Sequence, residues 1–310
     1  MKKILTLLSV LLLSCLTLWG KAPKDIKIGA TQIIEHPSLD LSRQGFEKAL
    51  ADNGYGDAKI EFQNAQGDVN TAQLIAKGYV DAKKDLIFTI STPSSQAAYN
   101  ATKDIPIVLT AVTDPIASGL TGKNITGTPD PLPIADQIAL IKAVFPGLKK
   151  IGLIYNTGEA NSVISIGEIK EEAKKAGIGY EEAGVTSVND IAPALDALLS
   201  KVDMIFMTTD NTVVASFALV LEKANKAGKP VFGSTEDSVP KGALMTATID
   251  FYKIGYRAGE MAVEILKGKS PADIPYEKPK ESLTLINRKQ AEKYKVDLSI
   301  EALKNAQVVE

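Results

Sequence analysis

Cysteine is almost absent from this 310-residue chain. Cys15 is the one instance, and it sits in the N-terminal apolar stretch, so no disulfide can hold the folded part. Histidine is as scarce. His36 stands alone, so a Ser-His-Asp arrangement would hang on one residue and a metal site would need carboxylates almost alone. No strand–GxSxG–helix elbow, Walker A loop or GxGxxG is present; "GYG" at Gly54 and "GIG" at Gly177 are helix ends. We therefore expect a protein that is not an enzyme and carries no cofactor or metal. A basic block is missing too. Residues 1–22 carry Lys2, Lys3 and Lys21 and no acid, so without them 35 basic against 37 acidic side chains become 32 against 37, a net charge of −5. That balance argues against nucleic acid as a partner.

Long apolar runs are confined to the N-terminus. Lys2 and Lys3 precede an apolar stretch, Ile4 to Leu13, that has the length of a signal-peptide core and is too short for a membrane span. Residues 1–22 read as a signal peptide, which makes the protein exported. Two readings of its end stand. Leu12-Leu13-Ser14-Cys15 resembles a lipobox, with Cys15 lipidated and the protein held at the outer face of a membrane. Alternatively Cys15 is one more apolar residue in a longer run that ends near Trp19, and the protein is free in the periplasm.

From residue 23 onward, short β-rich runs alternate with amphipathic segments of helix length, the signature of parallel sheets covered by helices. Strands are expected at 26–31, 60–63, 86–91 and 107–111, then at 151–155, 180–183, 204–208 and 231–233. Helices are expected over 39–53, 69–82, 134–144, 163–176 and 211–227, several ending at a glycine cap such as Gly54, Gly177 or Gly228. The two strand sets echo each other. "KIGATQ" at Lys27 returns as "KIGLIYN" at Lys150, and "DLIFTISTPSSQAA" at Asp85 returns as "DMIFMTTDNTVVAS" at Asp203. We expect an α/β fold of two similar lobes, each a parallel sheet flanked by helices, joined by a multi-strand hinge. Lobe 1 is drawn as 23–123 plus 250–283, and lobe 2 as 124–249 plus 284–310.

In open α/β sheets ligands bind beyond the carboxyl ends of the strands, where helix N-termini offer free N–H groups. The residues at those positions are small and polar. Candidate ligand-binding residues are Gln32, His36, Ser94, Ser95, Thr113 and Asp114 in the first half, and Asn156, Asp210, Asn211 and Glu236 in the second. "STPSSQAA" places Pro93 in a first helical turn between hydroxyls, a cradle for a carboxylate. Any one of these hydroxyls reads equally well as a helix cap. The acids opposite could meet an ammonium group or cap helices of their own. Together the two clusters suit a small zwitterion.

The blocks Gln32…Glu35-His36-Pro37…Leu39-Asp40…Arg43-Gln44-Gly45-Phe46, "AVTDPIASGL" at Ala111, "NITGT" at Asn124 and "DFYKIGYRAGEMAVEILKG" at Asp250 cover essentially the whole mature chain. They resemble those of bacterial ABC transporter substrate-binding proteins associated with tryptophan and related aromatic amino acids. The chain departs from that pattern at "GTPDPLP", where Pro129 replaces the more usual serine or threonine before the aspartate. The resemblance implies a type I periplasmic-binding-protein fold that closes on its ligand. It implies a carboxylate held by Ser94, Ser95 and Thr113, and an ammonium held by Asp210 or Glu236 with Asn156 and Asn211 assisting. A ring would lie against the 32–36 loop. The expected partners are an amino acid, an ABC permease and its ATPase subunits encoded elsewhere, and the protein is expected as a monomer. A ligand-binding partner of a membrane sensor, or a binder of another small molecule such as a sugar, remains the alternative.

Overall fold

Uninterrupted apolar runs become central strands. In the computed structural model, which describes residues 21–310, β1 (Lys27–Gln32), β3 (Leu86–Ile90) and β4 (Ile107–Val112) are buried along nearly their whole length. Parallel strands covered on both faces must be. With β2 (Lys59–Asn64) and β5 (Ile125–Pro129) at the edges they form a parallel sheet in the order β2-β1-β3-β4-β5. The N-terminal apolar stretch and Cys15 lie outside the described residues.

The second sheet repeats that order. It consists of β6 (Lys150–Asn156), β7 (Gly179–Val185), β8 (Met204–Phe206), β9 (Val231–Phe232) and β10 (Met245–Thr248), arranged β7-β6-β8-β9-β10. Two more strands, β11 (Leu283–Asn287) and β12 (Gln307–Val309), extend it, with β11 antiparallel to β10. The sequence echo is an echo in space. The Asp85 carboxylate accepts the N–H of Lys27 at 2.9 Å, and Asp203 accepts that of Lys150 at 2.9 Å.

The helices follow their sheets. In the first lobe these are α1 (Pro37–Asp52), α2 (Val69–Asp81) and α3 (Thr92–Ala101). In the second they are α4 (Ile134–Val144), α5 (Ala160–Lys175), α6 (Ile191–Leu199), α7 (Asn211–Ala215) and α8 (Phe217–Lys226). The single helix expected over 211–227 breaks at Ser216, whose N–H turns back to Val213 O. A later helix, α9 (Phe251–Leu266), returns to the first lobe, and α10 (Arg288–Lys293) closes the second. The return of α9 is fixed by close backbone approach: a Cβ on Gly45 would fall 2.2 Å from Tyr252 O, and one on Gly255 would fall 1.9 Å from Ser42 O. Ser42 Oγ also donates to Phe251 O at 3.0 Å. Phe251, Ile254, Ala258 and Met261 thereby join the core of β1, β3 and β4.

The chain passes between the lobes three times. The expected first boundary at 123/124 needs correction, because β5 pairs with β4 and the crossing falls after Pro129. This strand is hard to read in sequence. Its Ile-Thr-Gly-Thr-Pro run has one large apolar residue, and Gly127, at φ +145, packs so tightly that a Cβ would meet Leu109 O at 2.0 Å. Its threonines are held from outside the strand, Thr126 by Ile274 O and Thr128 by Ile254 O. The second passage lies between β10 and α9, and the third leads into β11.

Candidate ligand-binding site between the lobes

Each sheet changes winding direction between its first and third strands, and that is where its polar strand ends gather. The two crevices face each other across a small cavity. The first lobe contributes His36, Leu39, Ala111 and Thr113; the second contributes Asn161, Thr209, Asn211, Val214 and Thr235. Asp130 and Phe251, on two of the crossing segments, complete the lining. A bond already joins the lobes beside it, from Ser38 Oγ to Asp237 Oδ1 at 3.0 Å.

Backbone strain marks the first-lobe wall. Ser91 has φ 86 and Ala111 has φ 54, left-handed values that a side chain makes costly. They end the adjacent strands β3 and β4, and the β4–β5 register slips between Thr110 and Val112. The surrounding polar atoms are also unusual. Four that line the cavity, His36 Nδ1, Asp130 Oδ1, Asn161 Oδ1 and Thr209 Oγ1, are buried without a hydrogen-bond partner, as are Ser91 Oγ, Thr92 Oγ1 and Ser94 Oγ at the start of α3. A buried polar group left unpaired costs about 1–3 kcal/mol, so a run of them in one place calls for a common cause.

Burial sets the protonation of the titratable lining groups. It pushes His36 down to about 4, against Asp237, whose charge favours the imidazolium. It pushes Asp130 up to about 7, with Thr113 as its one side-chain hydrogen-bonding partner opposing the shift. Burial also acts to raise Asp237, but hydrogen bonds from Lys241, Thr235 and Ser38 outweigh it and keep that carboxyl below the usual range.

Of the candidates named from sequence, His36, Thr113 and Asn211 line the cavity. Ser94 does not line it; it is buried in the first turn of α3 with its hydroxyl free. Gln32 is buried at the end of β1, where its amide donates to Ile34 O and Asp40 and its own oxygen stays unpartnered. Asn156 faces a neighbouring opening of the cleft, its amide donating to Thr212 Oγ1 at 2.8 Å.

Four more candidates are not brought to the cavity. Ser95 turns its hydroxyl back to Ser91 O at 2.8 Å and Thr89 at 2.8 Å. Asp114 accepts Ala117 N–H at 2.9 Å and caps a surface turn. Asp210 spends both oxygens on backbone, accepting Val213 N–H at 2.8 Å as the cap of α7 and Asn156 N–H at the end of β6. Burial and the neighbouring Glu159 carboxylate push its pKa up, against those two donors. Glu236 sits half-buried in a turn, its pKa raised by burial and by Asp250 and Asp237.

Two buried acids escape a reading of the sequence. Glu159 is buried before α5, taking Asn211 N–H at 3.0 Å on one oxygen and Thr212 N–H at 3.1 Å and Thr212 Oγ1 at 2.8 Å on the other. Asp130 escapes because its strand does. It directly follows β5, a strand end like those that supplied the other candidates, and recognising β5 would have found it.

The sequence model described as "ABC transporter substrate binding protein" matches residues 27–310. The chain belongs to that family. Among curated proteins it is 47% identical over 273 residues to a tyrosine-binding protein of Clostridioides difficile, covering 85% of this chain and 79% of the relative. Among solved structures it matches an ABC domain from Streptococcus pneumoniae in complex with L-Trp at 37% identity and a TM-score of 0.87, covering 91% of this chain and all of the other. A ligand-free, open substrate-binding protein with adhesive properties from Clostridium difficile is 40% identical, yet its TM-score is 0.67 over 92% of this chain and 99% of the other. The two-lobed α/β fold expected from the sequence is thus the family's fold.

Proposed function

We propose that this member of the family encloses an aromatic amino acid between its lobes and delivers it to an ABC importer. The unpartnered polar atoms around the cavity carry the reading. They are satisfied together if a small polar molecule enters, while Leu39, Val214 and Phe251 supply an apolar wall for a ring. The aromatic class is supported by the ligands named for two relatives, tyrosine and L-Trp. The arrangement of the lobes supports closure on the ligand: it lies nearer to the L-Trp complex than to an open relative of similar identity.

The protein then does no bond chemistry. Contacts made only in the closed form shift an open–closed equilibrium, and moving it from 1:99 to 99:1 takes roughly 5.5 kcal/mol of preference for closure. Burying an aromatic side chain contributes about 1.5–3 kcal/mol, and paired charges contribute the remainder. The partners in this reading are a membrane permease and its ATPase subunits, encoded elsewhere. Residues 1–22 export the chain, with Cys15 either lipidated or removed, and intact-mass measurement of the mature protein separates the two. Among the described residues no helix is long and apolar enough to cross a membrane.

Isothermal titration calorimetry tests the ligand class, using protein stripped of bound ligand by unfolding and refolding. Tryptophan, tyrosine, phenylalanine, leucine and a sugar panel are titrated in turn. Saturable one-to-one binding of an aromatic amino acid is expected; binding of a sugar and of none of the amino acids would overturn the reading.

A further inference from the structure

We infer that Asp130, on the first crossing between the lobes, holds the ligand's α-ammonium and makes the site select amino acids over the corresponding acids without an amine. This deepens the proposed amino-acid reading and rests on it.

Most carboxylates near the cleft are already engaged. Asp210 and Glu159 have both oxygens occupied by donors of the second lobe. Asp237 has one oxygen on Ser38 and the other on Lys241. Among the described residues Asp130 is the one acid with a buried carboxylate oxygen that no hydrogen bond reaches, and its side chain lines the cavity. It is 2% exposed.

Its position is fixed before any ligand arrives. Prolines flank it on both sides, Pro129 and Pro131, and its own N–H donates to Val112 O at 3.1 Å. Opposite it, at the end of β3, Ser91, Thr92 and Ser94 hold unpartnered hydroxyls at the N-terminus of the ten-residue α3. The two groups flank β4: Ser91 N–H bonds to Thr110 O and Asp130 N–H to Val112 O. They thus stand on the two strands either side of β4, and Asp130 lies further along β4, at the level of Val112 rather than Thr110. The second lobe offers no competing anion cradle at the matching helix, because Glu159 already fills the start of α7. Carboxylate to α3 and ammonium to Asp130 is the orientation that remains. Burial raises the pKa of Asp130 to about 7, and a cation beside the carboxylate would favour its charged form.

The test compares an aromatic amino acid with its des-amino analogue, a 3-arylpropionate carrying the same ring. Calorimetry is run on the wild-type chain and on Asp130→Asn, which keeps the shape and removes the charge. The wild type is expected to prefer the amino acid by at least 100-fold, and the variant by less than about fivefold, with the loss falling on the amino acid. The ligand-free variant should unfold at the same temperature or a higher one, which separates ligand recognition from a merely structural role. Asp210→Asn provides the contrast: it should unfold earlier while keeping the wild-type preference. If Asp130→Asn does not fold, Asp130→Ser is read by the same ratio. A variant that prefers the amino acid as strongly as the wild type overturns the role of Asp130 and leaves the proposed function intact. A wild type that binds neither compound overturns both.

Discussion

The two lobes are built on one plan and finished in opposite ways. Both sheets place a helix N-terminus beyond the third strand of the repeat, α3 after β3 and α7 after β8. At α3 the side chains around the first turn are hydroxyls without partners, and Ser91 is strained. At α7 the corresponding donors are occupied, one by the Asp210 cap and two by the Glu159 carboxylate. The first lobe is left open to an anion, and the second carries its own. A helix N-terminus attracts negative charge wherever it lies; what decides whether it is a binding site is whether the chain has already supplied that charge.

The difference between the lobes depends most heavily on Glu159. Glu159→Ala strips acceptors from two buried backbone N–H groups and from the Asn211 and Thr212 side chains. Unsatisfied buried donors cost about 1–3 kcal/mol each, so we expect a loss of about 3 kcal/mol in denaturant unfolding of the ligand-free protein. A loss below about 0.5 kcal/mol, the range of an ordinary surface substitution, would mean that water replaces the carboxylate and that α7 is as open as α3.

Asp130→Asn should move stability the other way. The folded-state value of Asp130, about 7, lies above the ordinary aspartate value of 3.8. Ionisation therefore opposes folding: the cost begins as pH rises past 3.8, grows until about pH 7 and is fully present above it. At pH 8 the asparagine variant should be more stable without ligand, by about 1–3 kcal/mol. At pH 4 the two chains should differ little. Equal unfolding free energies at both pH values would place Asp130 in contact with water or a cation of its own.

Ser94→Ala probes the same contrast on the binding side. Its hydroxyl makes no hydrogen bond in the protein, so ligand-free stability should change by less than about 0.5 kcal/mol. Affinity should fall about tenfold, the worth of one hydrogen bond to a charged group. Ser95→Ala should do the reverse, because that hydroxyl is bonded to Ser91 O and Thr89.

This pair shows where sequence reading stops. The repeat, the order of the strands and the polar character of their ends are legible, because each depends on runs of residue types. Which of two adjacent serines keeps its hydroxyl free depends on the rotation of α3 about its axis, and sequence does not fix that phase at a helix start. Asp210 reads as a ligand group because acids stand opposite hydroxyls; an acid directly before Asn-Thr-Val-Val is equally the signature of an N-cap, and the cap won. Asp130 is hidden by the glycine and proline of β5, which make a buried strand look like a loop.

The smallest effect lies between the lobes. Ser38 donates to Asp237 Oδ1 across the cleft, and Lys241 holds the other oxygen from within the second lobe. Neither lobe uses the Ser38 bond to fold, so Ser38→Ala should leave the unfolding transition unchanged. It should instead lower the closed population. One hydrogen bond to a charged group is worth about 1.5–3 kcal/mol when fully buried, and less here, where Asp237 keeps Lys241 and some solvent contact. A loss of about 0.5–1 kcal/mol weakens closure two- to fivefold. Affinity should fall by that same factor whichever aromatic amino acid is used, because the bond touches the equilibrium and not the ligand. Small-angle scattering should show a larger radius of gyration at subsaturating ligand. If affinity drops for one ligand and not another, Ser38 is part of the binding surface, and the division between lobes that receive and lobes that close is drawn in the wrong place.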